Sequence, residues 1–576
     1  MSTQSDQMAF QKAQEMIGSG QPEHAIKLLR DIKPKSALYP HAMYALGTLY
    51  MQQNAFEMAE NTFLRLLKMF PDHADSWRNL GLTRYYGLHQ PLAAVDAFVK
   101  ALEFGADAGK IKTYLGLIAL HMNDPERAYV LFNEALELYP SDPLLLNSKG
   151  QACLLLHRFD EAKTCVLKTL ELTPDSAAAA YNALLLSDVL PADEGMALKA
   201  ELSETSKAQE IALVLKAQKA EEIGDVEGAL ALYEQATSES AQLMTRVAFA
   251  KARLLHKKGD IDGAWEAFVK ANALERSLPP SIYLDVKTYP QELRKLVKAA
   301  KTDWADAIRA YRECADPDGL FSPVFIVGFP RSGTTLTGSI LNAHPDILVT
   351  DECAALNDVI EHMVGVMGLS YPEDLPRLDR EQRETLRHIY WEEHQKHPSW
   401  HAAKVFCDKF PLNIVHLGLI ATLFPTAKII YLQRHPADSV LSAFMQDFQP
   451  NAAMIHTQDI ADCAALYMLV REAYSAQQNA LNFPVHTLHY EDIVDDFDVE
   501  IAATLTYLGL PWDDAVRDFN RIEEKGEART LTPSRKQVRR HLYTSAINRW
   551  KRYESHLKSV LPVLLKEAKK MGYEDV

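Results

Sequence analysis

A period of about 34 residues governs the first half of the chain and restricts what that half can fold into. Gly47, Gly81, Gly116 and Gly150 follow one another at spacings of 34, 35 and 34. Ala25, Ala59, Ala94, Ala128, Ala162 and Ala197 keep the same period within one residue. Pro71, Pro140 and Pro174 recur with it. One unit reads Leu46-Gly47, Tyr50, Ala59, Phe63, Pro71; the next reads Trp77, Leu80-Gly81, Ala94, Phe98, Ala101. A unit this short cannot bury its apolar face alone, so neighbours must stack into a solenoid. Small residues suit points where helices cross closely, and the prolines end the second helix of their unit. A fainter pair, Ala229-Tyr233-Ala236 and Ala264-Phe268-Ala271, repeats 35 residues apart.

The pattern resembles the tetratricopeptide repeat, which implies two antiparallel helices per unit. On that resemblance about eight units fill residues 5–285, the one around Ala197 being degenerate. A plain bundle with chance alanines would not hold four kinds of marker on one period. Such a solenoid offers a groove in which a polypeptide acceptor or partner docks. Scaffolding and self-association into a homodimer are the other uses. Within residues 286–320, the stretch Lys301–Tyr311 reads as a linking or capping helix.

The second half, residues 321–576, is organised around Ser322–Glu352. An apolar run, Val324–Val327, reads as a buried parallel strand. Gly328-Phe329-Pro330-Arg331-Ser332-Gly333-Thr334-Thr335 follows, then Leu336, Ile340 and Leu341 at helical spacing. A strand, a glycine-bearing turn and a helix aim free backbone N–H groups and a positive helix end at an anion. The turn fits the P-loop spacing except that Thr334 stands where the lysine belongs. That lysine reaches the outer phosphates of a nucleoside triphosphate, so its loss argues against ATP and a P-loop kinase. Further strands are expected at Lys404–Cys407, Lys428–Leu432 and Pro484–Tyr490. Helices are expected at Leu412–Phe424, Pro436–Met445, Ile460–Phe483 and Val499–Leu508. This alternation predicts a parallel sheet with helices on both faces, with ligands at the carboxyl ends of its strands.

At those ends a second resemblance emerges, covering roughly residues 321–555. F-P-R-S-G-T-T-L is similar to the 5′-phosphosulfate loop of the sulfotransferases that use 3′-phosphoadenosine-5′-phosphosulfate (PAPS). Y-L-Q-R-H-P-A-D-S-V-L-S is similar to their 3′-phosphate motif, with Arg434 at the strand end and Ser442 eight residues on. Tyr490-Glu491-Asp492 resembles the Y-E-D after a later strand of that family. The nearest resemblance is to the tyrosylprotein sulfotransferase branch and bacterial relatives fused to tetratricopeptide repeats. It implies a catalytic base at Glu352, after Ala343-His344-Pro345-Asp346, and transition-state support from Lys409, Ser534 and Arg331. It implies cofactor contacts from Arg331, Ser332, Gly333, Thr334, Thr335, Arg434, Ser442, Tyr490 and Arg549, and no metal. His344, His435 and His541 receive no role; His-Pro after a helix reads as a terminator. The chain departs from the branch at Ala354 and Asn357, where basic residues read acidic peptides, and at Gln446, where an arginine is expected.

Composition narrows the rest. A net charge of -16 argues against general nucleic-acid or anionic-membrane binding. Against it, Ala528–Tyr553 holds eight basic residues and no acidic one, which points to an anion nearby. The first fifteen residues lack the basic and apolar regions expected of a secretory signal, no apolar run reaches membrane-spanning length, and the six cysteines are scattered. These features predict a reduced, cytoplasmic protein. The expected fold is α + α/β: an all-α solenoid followed by a P-loop-like three-layer domain with a parallel sheet. Its expected activity moves the PAPS sulfuryl group to an acceptor hydroxyl, with peptide tyrosine ahead of a glycan or small molecule. The rivals are a repeat scaffold with a non-catalytic nucleotide domain, and a P-loop kinase.

Overall fold

The computed structural model describes residues 2–205, 209–238, 240–279, 281–311, 321–395, 404–519 and 546–573. Ser534 and most of the basic stretch lie outside them. The chain divides into two compact units. The first comprises Met1–Lys216, Ala236–Leu243 and Ser277–Leu284, and the second Ala217–Gln235, Met244–Arg276 and Asp285–Val576.

Helix pairs run in succession through the first half, as in Tyr39–Gln52 with Phe56–Met69 and Ala108–His121 with Pro125–Leu138. The repeated glycines have a steric reason. A Cβ on Gly47 would lie 2.6 Å from the Phe63 ring, on Gly81 2.7 Å from Phe98, and on Gly116 2.6 Å from Phe132. Each first helix therefore lets the ring of a phenylalanine of the second come right up against its backbone. The repeated alanines Ala25, Ala59, Ala94, Ala128 and Ala162 are completely buried. Ala197 departs from them: it is exposed, and Leu198 fills the core beside it. Of the described helices, none is long and apolar enough to cross a membrane.

The second unit is built on five parallel strands: β1 (Val324–Gly328), β2 (Ile347–Asp351), β3 (Val405–Lys409), β4 (Lys428–Gln433) and β5 (Val485–His489). They lie in the order β2-β3-β1-β4-β5. Successive β1 residues feed two different cores. Phe325 and Val327 join Phe406, Ile429 and Tyr431 on one face, while Val324 and Ile326 join Cys407, Ile430 and Leu432 on the other. This explains why the strand reads as an unbroken apolar run. The first core also takes Phe249, Ala264 and Phe268, so the last helices with repeat character pack into the same unit as the sheet.

Three boundaries differ from expectation. β2 was not expected as a strand. β3 extends through Asp408 to Lys409, so the lysine ends the strand instead of following it. Residues Pro411–His416 form a 3₁₀ turn before the helix Leu417–Leu423. The expected linking helix is Trp304–Tyr311.

Candidate active site

All five strands are parallel, so residues at their ends share one edge of the sheet. The turn after β1 lies at the middle of that edge, where β3 and β4 flank β1 on either side. Ligands settle at such points in α/β sheets. The turn approaches its neighbours too closely for ordinary side chains. A Cβ on Gly328 would come within 2.5 Å of Ser332 Oγ and 2.7 Å of the Leu432 carbonyl. Gly333, at φ 107°, caps the helix Thr334–Asn342, and a Cβ there would meet Tyr490 at 2.9 Å. Ser332 Oγ is buried with no hydrogen-bond partner among the described residues.

The residues group in two. At the β2–β3 end, Lys409 Nζ donates to Glu352 Oε1 at 2.9 Å, and Glu352 N donates to the Lys409 carbonyl at 2.8 Å. The lysine side chain is 2% exposed and the glutamate 39%, so the carboxylate is the member open to solvent. At the other end, Arg434 Nη1 donates to the Arg331 carbonyl at 3.0 Å, and Arg331 Nε donates to Ser442 Oγ at 3.2 Å. The Arg434 guanidinium lies 4.9 Å over the Tyr490 ring. Arg331 thus stands beside Ser442 and Arg434. Its backbone has φ 72° and that of Glu352 φ 49°. Non-glycine residues in this region store strain, which collects at functional sites.

The C-terminal residues fasten onto this second group. Arg434 Nη2 donates to the Ala546 carbonyl at 2.6 Å. Asp438 Oδ2 accepts from Asn548 N at 2.8 Å, and its Oδ1 from Trp550 N at 2.9 Å. Arg549 sits between those two pinned amides. Burial pushes the Asp438 carboxyl up, and Arg434 beside it opposes the rise. His435 stacks flat on Trp550, with centroids 5.3 Å apart and planes at 6°. Burial, with Lys551 and Arg434 nearby, lowers its pKa to about 4, so the ring is neutral. Its backbone N donates to Glu491 Oε1 at 3.0 Å, and Glu491 Oε2 accepts from the Tyr573 hydroxyl at 3.0 Å.

His344 is structural: its Nδ1 accepts from Asp346 N at 3.1 Å, and Nε2 faces the Pro511 carbonyl. Asp438, Glu491 and Trp550 escaped the sequence reading as a linked set. Glu491 stood in the Y-E-D motif and Trp550 beside Arg549, but the signal for Asp438 was only an acid in the first turn after Arg434-His435-Pro436, and nothing joined the three. A separate open cavity of about 780 Å³, lined by Arg294, His456, Arg471 and Glu567 among others, contains none of the site residues. The site is marked by converging strand ends, not by that hollow.

Comparison with known proteins agrees with both halves. Residues 323–514 match a model of the sulfotransferase family and residues 44–85 one of the tetratricopeptide repeat. Residues 117–252 match a model of the coatomer epsilon subunit. An uncharacterized protein of Aquifex aeolicus (strain VF5) is 26% identical over 340 residues, 57% of this chain and 42% of that one. Protein-tyrosine sulfotransferase 1 of Danio rerio is 27% identical over 236 residues, 39% of this chain and 65% of that protein. Its namesake in Mus musculus is 32% identical over 125 residues, 21% of this chain and 33% of that protein. The chain therefore spans less than two thirds of each of these three relatives. A solved tetratricopeptide repeat protein from Parabacteroides merdae ATCC 43184 aligns with TM-score 0.35 and 14% identity, covering 42% of this chain and 97% of that one. The chain thus carries a tetratricopeptide-repeat match in its first half and a sulfotransferase-family match in its second, and over that second half it is similar to the protein-tyrosine sulfotransferases.

Proposed function

We propose that the second unit is a PAPS-dependent sulfotransferase acting on an acceptor hydroxyl, with peptide tyrosine as the acceptor and the repeat array as its docking surface. The observation that carries this reading is the meeting of Arg331 and Arg434 beside a lysine-free amide turn. The donor set fits a doubly phosphorylated nucleotide. The cradle closed to any Cβ at Gly328 and Gly333, with the buried Ser332 hydroxyl, suits a 5′-phosphate. Arg434, Ser442 and Arg549 suit a terminal phosphate, which carries more charge than a bridging one. When bound, PAPS supplies an activated sulfuryl group.

The chain's own residues then divide the work. Glu352, the more exposed member of its ion pair, takes the proton of the acceptor hydroxyl on its carboxylate. Lys409 Nζ and the Arg331 guanidinium place positive charge where negative charge develops. Ser534 is assigned the same duty, on the family resemblance alone. Tyr490 presents its ring under Arg434 and holds that guanidinium in place.

Calorimetric titration with the desulfated nucleotide and with ATP separates a sulfotransferase from a kinase. Transfer of radiolabelled sulfate to a tyrosine peptide separates an enzyme from a scaffold. Glu352→Gln is expected to bind the desulfated nucleotide as the parent does, and to transfer about 10²–10⁴-fold more slowly. Full-rate transfer by that variant would sink the base assignment.

A further inference from the structure

Ser277–Leu284 belongs to the first unit, although the residues on both sides of it in sequence belong to the second. Its anchor is Tyr283. The ring stacks on Tyr85 at 5.7 Å and 15°, and on His121 at 5.8 Å and 24°, with His89 edge-on at 6.1 Å. Tyr85 and His121 stack on each other at 5.7 Å and 28°, and the Tyr85 hydroxyl is hydrogen-bonded to His121 Nδ1. The Tyr283 hydroxyl donates to the main-chain carbonyl of Tyr85 at 3.4 Å. The receiving surface is itself irregular. The helix Ala74–Leu82 widens at Thr83–Gly87 into a π turn, an insertion often found at binding positions.

The segment behaves as a docked peptide. Main-chain bonds from Ile282 to Leu278 and from Leu284 to Ser281 are internal to it. Its Leu278 and Ser281 side chains are buried, and Tyr283 packs on the core of the third and fourth repeats.

We infer that the notch formed by Tyr85, His89 and His121 is a tyrosine-recognition subsite of the repeat array, and that Ser277–Leu284 is a resident occupant which a tyrosine-bearing acceptor segment displaces. This rests on the proposed acceptor class and deepens it. Aromatic stacking reads the ring, and the carbonyl of Tyr85 reads a phenol that can donate. A sulfated tyrosine has no proton to donate and would set an anion against that carbonyl, among rings. The notch therefore retains the substrate side chain and releases the product.

The test uses the full chain and a fluorescein-labelled peptide of the resident sequence, S-L-P-P-S-I-Y-L, read by anisotropy without any nucleotide. The tethered segment competes at an effective concentration of about millimolar, so the parent chain binds the probe weakly. Tyr283→Ala empties the notch and is expected to tighten binding at least about tenfold. Changes in the probe cannot unfold the protein and keep the test decisive. Phenylalanine for tyrosine is expected to lose about three- to tenfold, the worth of one hydrogen bond. Sulfotyrosine is expected to lose more than phenylalanine, and alanine to abolish binding. Probe binding no tighter to the folded Tyr283→Ala chain, or equal binding of the alanine or sulfotyrosine probe, would overturn the inference. A chain that transfers sulfate but fails here loses the notch and keeps the enzyme. One that passes here but transfers nothing keeps a tyrosine-binding notch and loses the enzyme.

Discussion

Gly333 concentrates the demands that the anion-binding turn makes on single residues. Its φ of 107° is closed to side chains with a Cβ, and that Cβ would press on Tyr490, whose ring supports Arg434. Gly333→Ala therefore costs about 1–3 kcal/mol of backbone strain and also shifts an arginine assigned to the nucleotide. The expected outcome is a loss of about tenfold or more in affinity for the desulfated nucleotide, with a thermal transition lowered by only a few degrees. Titration calorimetry beside a melting curve checks both. Residues of this kind were legible through their motifs, and they reach one edge of the sheet: Arg331, Glu352, Arg434 and Tyr490 stand just past strand ends, and Lys409 closes β3. What the sequence hid is long-range. Nothing near Asp438 announces that its carboxylate holds two amides 110 and 112 residues away. Nor does Arg-His-Pro announce a histidine lying flat on Trp550.

Elements carry the next set of consequences. In the repeats, a glycine on one helix and a phenylalanine on the next act as a single steric unit. Gly81→Ala puts a methyl 2.7 Å from the Phe98 ring, and overpacking of that kind costs about 1–3 kcal/mol. Phe98→Leu opens the contact, so the double variant is expected to be less destabilised than the two single changes summed; a strictly additive cycle in urea would refute the pairing. The period was readable because it recurs, whereas β2 was not. Ile347–Asp351 is five residues long with an apolar run of only three, and the His344-Pro345-Asp346 turn before it reads as the end of a helix and not as the start of a strand. The C-terminal strap shows the same limit from the other side. Asp438→Asn keeps the shape but turns an N–H toward one of the two amides it had accepted from, leaving a buried donor unpaired at about 1–3 kcal/mol. Because those amides flank Arg549, weaker nucleotide binding is expected to accompany the loss of stability. Unchanged affinity in a chain with a lowered urea midpoint would separate the strap from the site.

At the scale of the whole second unit, buried titratable groups set a pH optimum for stability. Burial, with Asp447 nearby, raises Glu275 from 4.5 to about 8. Between those values the folded chain holds a proton that the unfolded chain has lost, so stability rises as pH falls through that window. Burial lowers His256, His416 and His435 from 6.5 to about 4. Between those values the unfolded chain takes up protons that the folded chain refuses, so stability falls as pH drops. Each group contributes a slope of at most about 1.4 kcal/mol per pH unit. Among these four groups the glutamate acts alone above pH 6.5, and the three histidines oppose it below. Burial also lowers His456 and His486, on the side of the histidines, and raises Asp438, Asp447 and Glu292, on the side of the glutamate. The urea midpoint is therefore expected to peak near pH 6.5 and to fall more steeply on the acid side. Tryptophan fluorescence follows this unit well, since of seven tryptophans only Trp77 belongs to the first. Glu275→Gln is expected to flatten the alkaline limb and leave the acid limb intact. An alkaline limb unchanged by that substitution would assign the slope to other groups.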